Sequence, residues 1–409
     1  MKHLTKPEIS LCVPTFNRGP YLDYLLRHLF EQTPSVNLEY EILISNNASS
    51  DNTNEIVAKW SDKLPIKYFE QEKNIGAMEN TSFLFKQAVS EFLVYLADDD
   101  LIDLTELKNC LQQIQSRPNV GIAYTPWIIG RPNQSGGIQF YKHPEDILIQ
   151  KGDFQTLLSS ILDYHIFPEI FILRTELFLE LQPLAKDDLV FYYFSIISEY
   201  LSHCDVLLST KVFYKSITEH PAGPRIQNGN EQVKFMWDSY RGGLELLLGK
   251  ANNLTHNDDA KIFKEAINNF IAQRLSVAIR IRLLDKSDKI EIYLLACRLR
   301  GLGFERLLPI PLRQIAIFAA FEYIVQLTKG KKISTILLLG DFEDSLSKIL
   351  RNEFKFTDIK ISNEIPKRQK NSIIFYRNEH LTRGMKNNSV DANGNHYFSE
   401  HVLMNVKFN

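Results

Sequence analysis

The alternation of short apolar runs with amphipathic segments constrains the fold of this chain most strongly. Four runs in the first 100 or so residues predict β-strands, and the segments between them carry apolar residues at helical spacing. The predicted strands are Ile9–Val13, Tyr40–Ser45, Ile66–Gln71 and Phe92–Ala97. A strand–helix repeat of this kind favours an α/β fold, with a mostly parallel sheet covered by helices on both faces.

Polar residues follow three of these strands, in the loops Pro14–Arg18, Asn46–Asp51 and Asp98–Asp100. Turn formation explains each loop taken alone, because Pro, Asn, Ser and Asp are common turn residues. In a parallel sheet, however, the carboxyl ends of the strands meet at one edge, which is where such sheets bind ligands. The convergence of three polar loops therefore predicts a ligand site, in which Arg18 can pair with phosphate.

Three consecutive carboxylates, Asp98–Asp100, stand where the fourth strand leaves the core. Clustered oxygen ligands suit Mg²⁺ or Mn²⁺, and a bound ion would attract a diphosphate. The alternatives are a solvated acidic loop and a cap for the predicted helix Leu101–Gln115.

Composition places the chain among ordinary globular proteins. Its 409 residues suffice for two or three domains, and a net charge of −2 gives no general attraction to nucleic acid. The four cysteines are scattered without paired spacing, as expected for core residues in a reducing compartment. The chain has no run of eighteen apolar residues and no signal-peptide pattern, so we expect a cytoplasmic protein.

Four motifs in order make the first 100 residues similar to a known family, and the similarity extends loosely to about residue 215. The motifs are Val13–Arg18, Ile42–Asp51, Asn74–Gly76 and Leu96–Asp100. They resemble the family 2 glycosyltransferases with the GT-A fold, in the bacterial branch that includes the abequosyltransferases of O-antigen assembly.

This resemblance implies a donor pocket and a metal site. Asn46 stands where the family usually has an Asp that contacts the nucleotide base. Asp99 and Asp100 would be the ligands of Mg²⁺ or Mn²⁺. The residues implied to line the donor pocket are Pro14, Thr15, Asn17, Arg18, Asn46, Asn47, Lys73, Asn74, Gly76 and Asp98.

The resemblance also implies an activity: metal-dependent, inverting transfer of a sugar from a nucleotide-sugar donor. The acceptor would be a glycan or a lipid-linked glycan in bacterial surface polysaccharide synthesis. Asp188, with Asp187 second, is the expected base, because the family often has an Asp near this point. Glu169 and Glu199 are alternatives, and the acid pair could instead serve a helix N-terminus.

The predicted domains are a GT-A domain over 1–229, a helical region over 230–329 and a small α/β domain over 330–409. The segment from Phe270 to Arg313 contains nine Lys or Arg residues and four Asp or Glu residues. Such helices suit peripheral contact with an anionic membrane or homo-oligomer formation, whereas an ordinary bundle with solvated basic faces is the alternative. The C-terminal region is predicted to serve assembly or partner binding.

Two rival functions remain at this point. A sugar-nucleotide pyrophosphorylase would have a glycine-rich loop after its first strand, and Pro14–Arg18 has none. A non-catalytic scaffold could keep the same sheet, since fold does not fix function.

Overall fold

The computed structural model describes residues 7–132, 136–181, 190–223, 229–251, 257–284, 288–331, 333, 335–354, 358–382 and 384–405. The chain divides into two compact units, Met1–Phe270 and Ile271–Asn409. The domain boundaries at residues 229 and 329 remain predictions.

The first unit is built on an eight-stranded sheet with a four-stranded sheet beside it. Their strands, in chain order, are β1 (Ile9–Thr15), β2 (Tyr40–Asn46), β3 (Ile66–Glu70), β4 (Phe92–Tyr95), β5 (Leu101–Ile102), β6 (Val120–Tyr124), β7 (Trp127–Gly130), β8 (Ile138–Gln139), β9 (Ile147–Ile149), β10 (Phe171–Arg174), β11 (Asp205–Leu208) and β12 (Tyr214–Ile217). The large sheet has the order β3-β2-β1-β4-β10-β6-β11-β9, and the small one β5-β12-β7-β8. In the large sheet only β10 and β9 run antiparallel to their neighbours, which confirms the predicted mostly parallel sheet.

Helices separate the strands of this unit. They are α1 (Gly19–Gln32), α2 (Thr53–Ser61), α3 (Ala77–Gln87), α4 (Leu104–Gln115), α5 (Phe154–Tyr164), α6 (Thr175–Leu181), α7 (Tyr192–His203) and α8 (Gly229–Lys250), and α9 (Asn257–Leu284) continues into the second unit. All residues of β2 are buried, as expected for a central strand covered on both faces. On α1, four leucines at helical spacing are buried, and Asp103 caps α4 by accepting from the backbone N–H groups of Thr105 and Glu106.

The sequence of residues 206–214 predicts a single strand, and this prediction is wrong. The segment contributes to β11 and β12, which belong to different sheets. The break occurs at Ser209 and Thr210, where the Asp146 carboxylate accepts from both the backbone N–H and the hydroxyl of Thr210. These side-chain bonds replace strand pairing and turn the chain.

The fourth strand is also shorter than the predicted Phe92–Ala97, because the Ala97 N–H donates to the Tyr214 hydroxyl (3.2 Å).

The second unit combines helices with a five-stranded sheet. Its elements after α9 are α10 (Lys289–Gly301), α11 (Leu312–Leu327), β13 (Thr335–Leu339), α12 (Asp344–Phe354), β14 (Ile359–Ser362), β15 (Ser372–Tyr376), β16 (Ser389–Val390) and β17 (His396–Ser399). The sheet order is β14-β13-β15-β17-β16, and Phe321 of α11 packs on Phe375 of β15 with ring centroids 4.7 Å apart. The predicted helices and C-terminal α/β sheet are therefore present. In the described part of the chain, no helix is both long and apolar enough to span a bilayer.

Candidate functional site

The first two polar loops are held together at the carboxyl edge of β1 and β2. The Asn17 N–H donates to the Ser49 hydroxyl (2.8 Å), and the Ser50 N–H donates to Asn17 Oδ1 (2.7 Å). The Asn47 N–H donates to the Thr15 carbonyl (2.9 Å). The convergence expected from the sequence is therefore present as direct hydrogen bonds.

The start of α1 fixes the position of the second loop. Asp51 Oδ2 accepts from the Gly19 N–H (2.9 Å), and Oδ1 accepts from the Thr53 N–H (3.1 Å). A Cβ at Gly19 would lie 2.3 Å from Asn52 Oδ1, so only glycine allows this approach. Burial alone would raise the pKa of Asp51, but hydrogen bonds from Thr53 and Gly19 outweigh it and lower that pKa.

A further loop, between β3 and α3, is fixed by Asn47. Its amide donates to Asn74 Oδ1 (3.1 Å) and to the Gly76 carbonyl (3.3 Å), and its Oδ1 accepts from the Ile75 N–H (2.8 Å). Gly76 has φ 94°, which favours glycine at this turn. Lys73, in the same loop, is exposed to solvent.

Asn46, the predicted base contact, is fully buried. Its amide donates to Asn54 Oδ1 and to the Tyr68 hydroxyl (2.9 Å each), and its Oδ1 accepts from the Ser49 N–H (2.9 Å). Both amide hydrogens are thus used inside the protein. In this structure Asn46 shapes the second loop, and its contact with a base stays a prediction.

Arg18 joins the first loop to the Asp triplet. Its Nη1 donates to Asp98 Oδ1 (3.1 Å) and to Asp99 Oδ2 (2.9 Å), so both carboxylates converge on one nitrogen. The Arg18 side chain is 30% exposed, whereas those of Asp98 and Asp99 are 5% and 4% exposed. The alternative of a solvated acidic loop is therefore wrong: the triplet is buried and paired.

Burial sets the protonation of Asp98. Removal of the carboxylate from water raises the pKa of Asp98 to about 7, although the adjacent Arg18 cation acts in the opposite direction. Asp99 adds to the rise because it is a like charge. The carboxylate pair raises the pKa of Arg18, so the guanidinium stays charged although burial opposes the charge.

Asp100 binds the opposite side of the site. Its Oδ2 accepts from the Tyr214 hydroxyl and its Oδ1 from the Ile217 N–H, both at 2.9 Å. Two carboxylates of the triplet therefore pair with Arg18, and the third accepts hydrogen bonds from β12. Nothing in the local sequence around Tyr214 signals this role, because it depends on a contact between segments 114 positions apart.

The segment after β12 lies against the start of α1. His220 is 7% exposed and packs between Tyr21 and Tyr24, with ring centroids 4.6 and 5.0 Å away. The segment 215–229, with two prolines and two glycines, is predicted to be a loop that closes over substrate. It begins with part of β12 and is packed at His220. Its residues 224–228 lie outside the described part of the chain.

The reversed direction of β10 brings Glu169 to the same edge. β10 runs antiparallel to β4 and β6, so the residues that precede it lie where those strands end. The pKa of Tyr95, the last residue of β4, is raised by burial and then by the negative charges of Glu169 and the Asp triplet.

The other candidate bases differ in position. Asp187 and Asp188 lie outside the described residues. Glu199, on α7, forms an ion pair with Lys250 of α8 (3.0 Å). This pair connects two helices and gives Glu199 a structural role.

A divalent ion fits the donor set of this site in part. In the described ranges, no group of three or more His, Cys, Asp or Glu side chains is arranged around a common metal position. Asp98 and Asp99 nevertheless already direct two oxygens at one cationic atom. Beside them, the buried Thr15 hydroxyl (3% exposed) interacts with Asp98 and lowers the pKa of that carboxyl, against the larger effect of burial. Two carboxylates plus substrate phosphates are a usual Mg²⁺ environment.

The sheet, its interlocked loops and the buried Asp triplet form a polar site at the carboxyl edge of an α/β fold, and comparison with known proteins indicates its family. Residues 10–177 match the model of glycosyl transferase family 2. This part of the chain is a family 2 glycosyltransferase domain, which confirms the predicted family and its GT-A type of α/β fold.

Two curated relatives illustrate the similarity. An uncharacterized glycosyltransferase of Haemophilus influenzae is 24% identical over 180 residues, which are 38% of this chain and 59% of that protein. Abequosyltransferase RfbV of Salmonella typhimurium is 35% identical over 96 residues, which are 23% of this chain and 28% of that protein. The chain thus spans less than two thirds of the length of either relative.

Among solved structures, the chain is similar to Staphylococcus aureus TarS 1-349 in complex with UDP. The two are 18% identical with a TM-score of 0.48, over 78% of this chain and 87% of the other.

Proposed function

We propose that this protein is a glycosyltransferase that moves a sugar from a nucleotide-sugar donor to a glycan or lipid-linked acceptor. The observation that carries this proposal is the double ion pair of Arg18 with Asp98 and Asp99 at the carboxyl edge of the sheet. It brings a cation for a diphosphate and oxygen ligands for a metal ion to the place where open α/β sheets bind nucleotides. The family match and the named glycosyltransferase relatives support the same activity.

The proposed reaction is a displacement at the anomeric carbon with inversion. The acceptor hydroxyl oxygen forms a bond to this carbon while the bond to the diphosphate oxygen breaks, and a carboxylate takes the hydroxyl proton. Arg18 would stabilise the negative charge that grows on the leaving diphosphate. When bound, Mg²⁺ or Mn²⁺ would supply further positive charge there, held by Asp99 with Asp98 or Asp100.

Asp188 is the proposed base, with Asp187 second and Glu169 as an alternative. A base must approach the sugar from the side opposite the diphosphate. Glu169 comes from a segment other than the triplet and lies near Tyr95 at the same edge.

The proposed acceptor belongs to bacterial surface polysaccharide synthesis and is presented at a membrane. One face of α9 supports peripheral membrane contact. Val277, Ile281 and Leu284 are spaced three and four positions apart, so they share a face, and are 48%, 40% and 79% exposed. Arg280 is exposed beside them, as expected for a helix at an anionic surface.

Nucleotide binding followed by transfer tests the function. Specific ligands raise the thermal midpoint of unfolding by mass action, so UDP, GDP, CDP and dTDP are each added with and without Mn²⁺. A diphosphate that stabilises the protein identifies the donor class, and its nucleotide sugars are then assayed for slow hydrolysis and for transfer. Stabilisation by none of them favours the scaffold, whereas synthesis of a nucleotide sugar from a nucleoside triphosphate and a sugar phosphate indicates a pyrophosphorylase.

A further inference from the structure

The Arg18 guanidinium occupies the position between Asp98 and Asp99 that a bound cation would need. Both carboxylates are almost fully buried, and both accept a hydrogen bond from one atom, Nη1, at 3.1 and 2.9 Å. A guanidinium at hydrogen-bond distance and a metal ion cannot use the same two oxygen lone pairs together.

We propose that Arg18 and a divalent cation compete for Asp98 and Asp99, and that Arg18 is released when a diphosphate offers it another anion. This inference rests on the proposed donor site and adds an order of events to it. Without nucleotide, Arg18 keeps the acid pair neutralised and excludes the ion. With nucleotide, the guanidinium pairs with diphosphate oxygens, and Asp98 and Asp99 become available to the ion.

The surroundings of Arg18 are consistent with such a transfer. Its side chain is 30% exposed, so the guanidinium lies at the border between the buried acids and solvent, where an incoming diphosphate would meet it. Arg18 also follows the loop that Asn17 ties to Ser49 and Ser50, which fixes the backbone while the long side chain can rotate.

If Arg18 and the cation compete, removing Arg18 should raise the affinity for the cation, whereas mutation of a binding residue usually lowers affinity. Replacing Arg18 with Gln removes the competing cation, so the protein should bind Mn²⁺ alone about 10-fold more tightly or better, the factor that one charge-assisted hydrogen bond represents. Electron paramagnetic resonance of free Mn²⁺ measures this without any nucleotide. Arg18→Lys should give an intermediate affinity, because a lysine offers a point charge in place of the forked guanidinium.

Arg27→Gln is the matched control. Arg27 lies on α1, the helix that follows Arg18, and also pairs with an aspartate, Asp23 (3.1 Å), but its side chain is more than half exposed. It should leave Mn²⁺ binding unchanged. The double variant Arg18→Gln with Asp99→Asn should lose the gain, since it removes one of the two ligands.

Wild-type protein gives a second measurement that does not depend on the folding of a variant. The stabilising nucleoside diphosphate should tighten Mn²⁺ binding, and by linkage Mn²⁺ should tighten diphosphate binding by the same factor. That factor should be smaller in Arg18→Gln, because its carboxylates are already available.

Unchanged or weaker Mn²⁺ binding by folded Arg18→Gln would overturn the inference, as would equal coupling factors in wild type and variant. Failure of the proposed function looks different. A protein that binds no nucleotide, yet binds Mn²⁺ more tightly after Arg18→Gln, would lack the transferase activity and still show the competition.

Discussion

The Tyr214 hydroxyl lies 2.9 Å from Asp100 Oδ2 and also accepts the Ala97 N–H, so one side chain joins β12 to both ends of the acidic loop. Tyr214 is 2% exposed, and burial followed by the neighbouring Asp100 raises its pKa well above the usual value. The hydroxyl therefore stays protonated and remains a donor.

Tyr214→Phe should destabilise the protein by about 1–3 kcal/mol, because it leaves Asp100 and the Ala97 N–H with unmet hydrogen bonds in a buried place. Urea unfolding measures the loss, and diphosphate affinity should fall with it. Tyr397→Phe is the control: Tyr397 is equally buried in the second unit and donates to Asp391 (3.0 Å). It should cost stability without affecting the nucleotide, and equal effects of both variants on affinity would contradict the role of Tyr214.

Asp99→Asn should abolish detectable transfer and leave the fold intact, since Asn keeps the volume and one acceptor but removes the charge that the ion and Arg18 need. Turnover and circular dichroism provide the two measurements. Asp103→Asn is a matched substitution four positions away. Asp103 caps α4, and Asn caps helices as well as Asp does, so activity should persist. Full activity of Asp99→Asn in EDTA would exclude the proposed site.

Asp51→Ala should lower stability at neutral pH by about 1–3 kcal/mol, because it removes the acceptor of the Gly19 and Thr53 bonds. The pKa of Asp51 is lowered in the folded protein, so its contribution is present above the unfolded value of about 4 and is lost as the pH falls through the folded value. The difference between wild type and variant should therefore shrink below about pH 4.

Denaturation at pH 7, 5 and 3 checks this dependence. Asp153→Ala, which removes the cap of α5, should cost about 1 kcal/mol and leave diphosphate binding unchanged, whereas Asp51→Ala should weaken it. A stability difference that grows towards low pH would refute the argument.

Asp188→Asn should lower the maximal transfer rate by about two to four orders of magnitude with donor affinity nearly unchanged, as expected for a base. Asp187→Asn and Glu169→Gln are measured in parallel. Glu199→Gln serves as the control, because Glu199 pairs with Lys250 between two helices. If Asp188→Asn keeps more than about a tenth of the rate and Glu169→Gln does not, the base is Glu169.

Replacing Ile281 and Leu284 with Ser should weaken binding to anionic vesicles, since it removes two of the three exposed apolar side chains on this face of α9. Flotation at low salt with vesicles that contain phosphatidylglycerol measures the effect. Leu148→Ser, at a comparably exposed residue of β9 (44%), is the control and should float like wild type. No flotation of wild type, or equal flotation with neutral vesicles, would assign these helices a purely structural role.

The order of strands and helices in the first 100 residues could be predicted because it is encoded locally. Apolar runs and helical spacing act over a few residues, so the starts of β1, β2, β3 and β4 agree with the predicted ones. The convergence of the loops followed from sheet geometry alone.

The partners inside the site could not be predicted, because they depend on distant segments. Nothing beside Asp100 in sequence specifies Tyr214 or Ile217 as its partners. Burial of the Asp triplet could not be predicted either, because three adjacent acids usually indicate a solvent-exposed loop. Only the fold shows that Arg18 pairs with both Asp98 and Asp99. The break at Thr210 likewise depends on Asp146, which is 64 positions away.

The reversed strand β10 has a consequence for how this edge can vary. β10 begins at the edge of the sheet where β4 and β6 end. This edge is therefore formed by the loops that follow the parallel strands and also by the connection that precedes β10. A change in the length of the connection before β10 would move Glu169 and leave the loops after β1, β2 and β4 in place. The proposed acceptor side could thus diversify among related proteins by insertion or deletion, while the proposed donor side keeps its spacing.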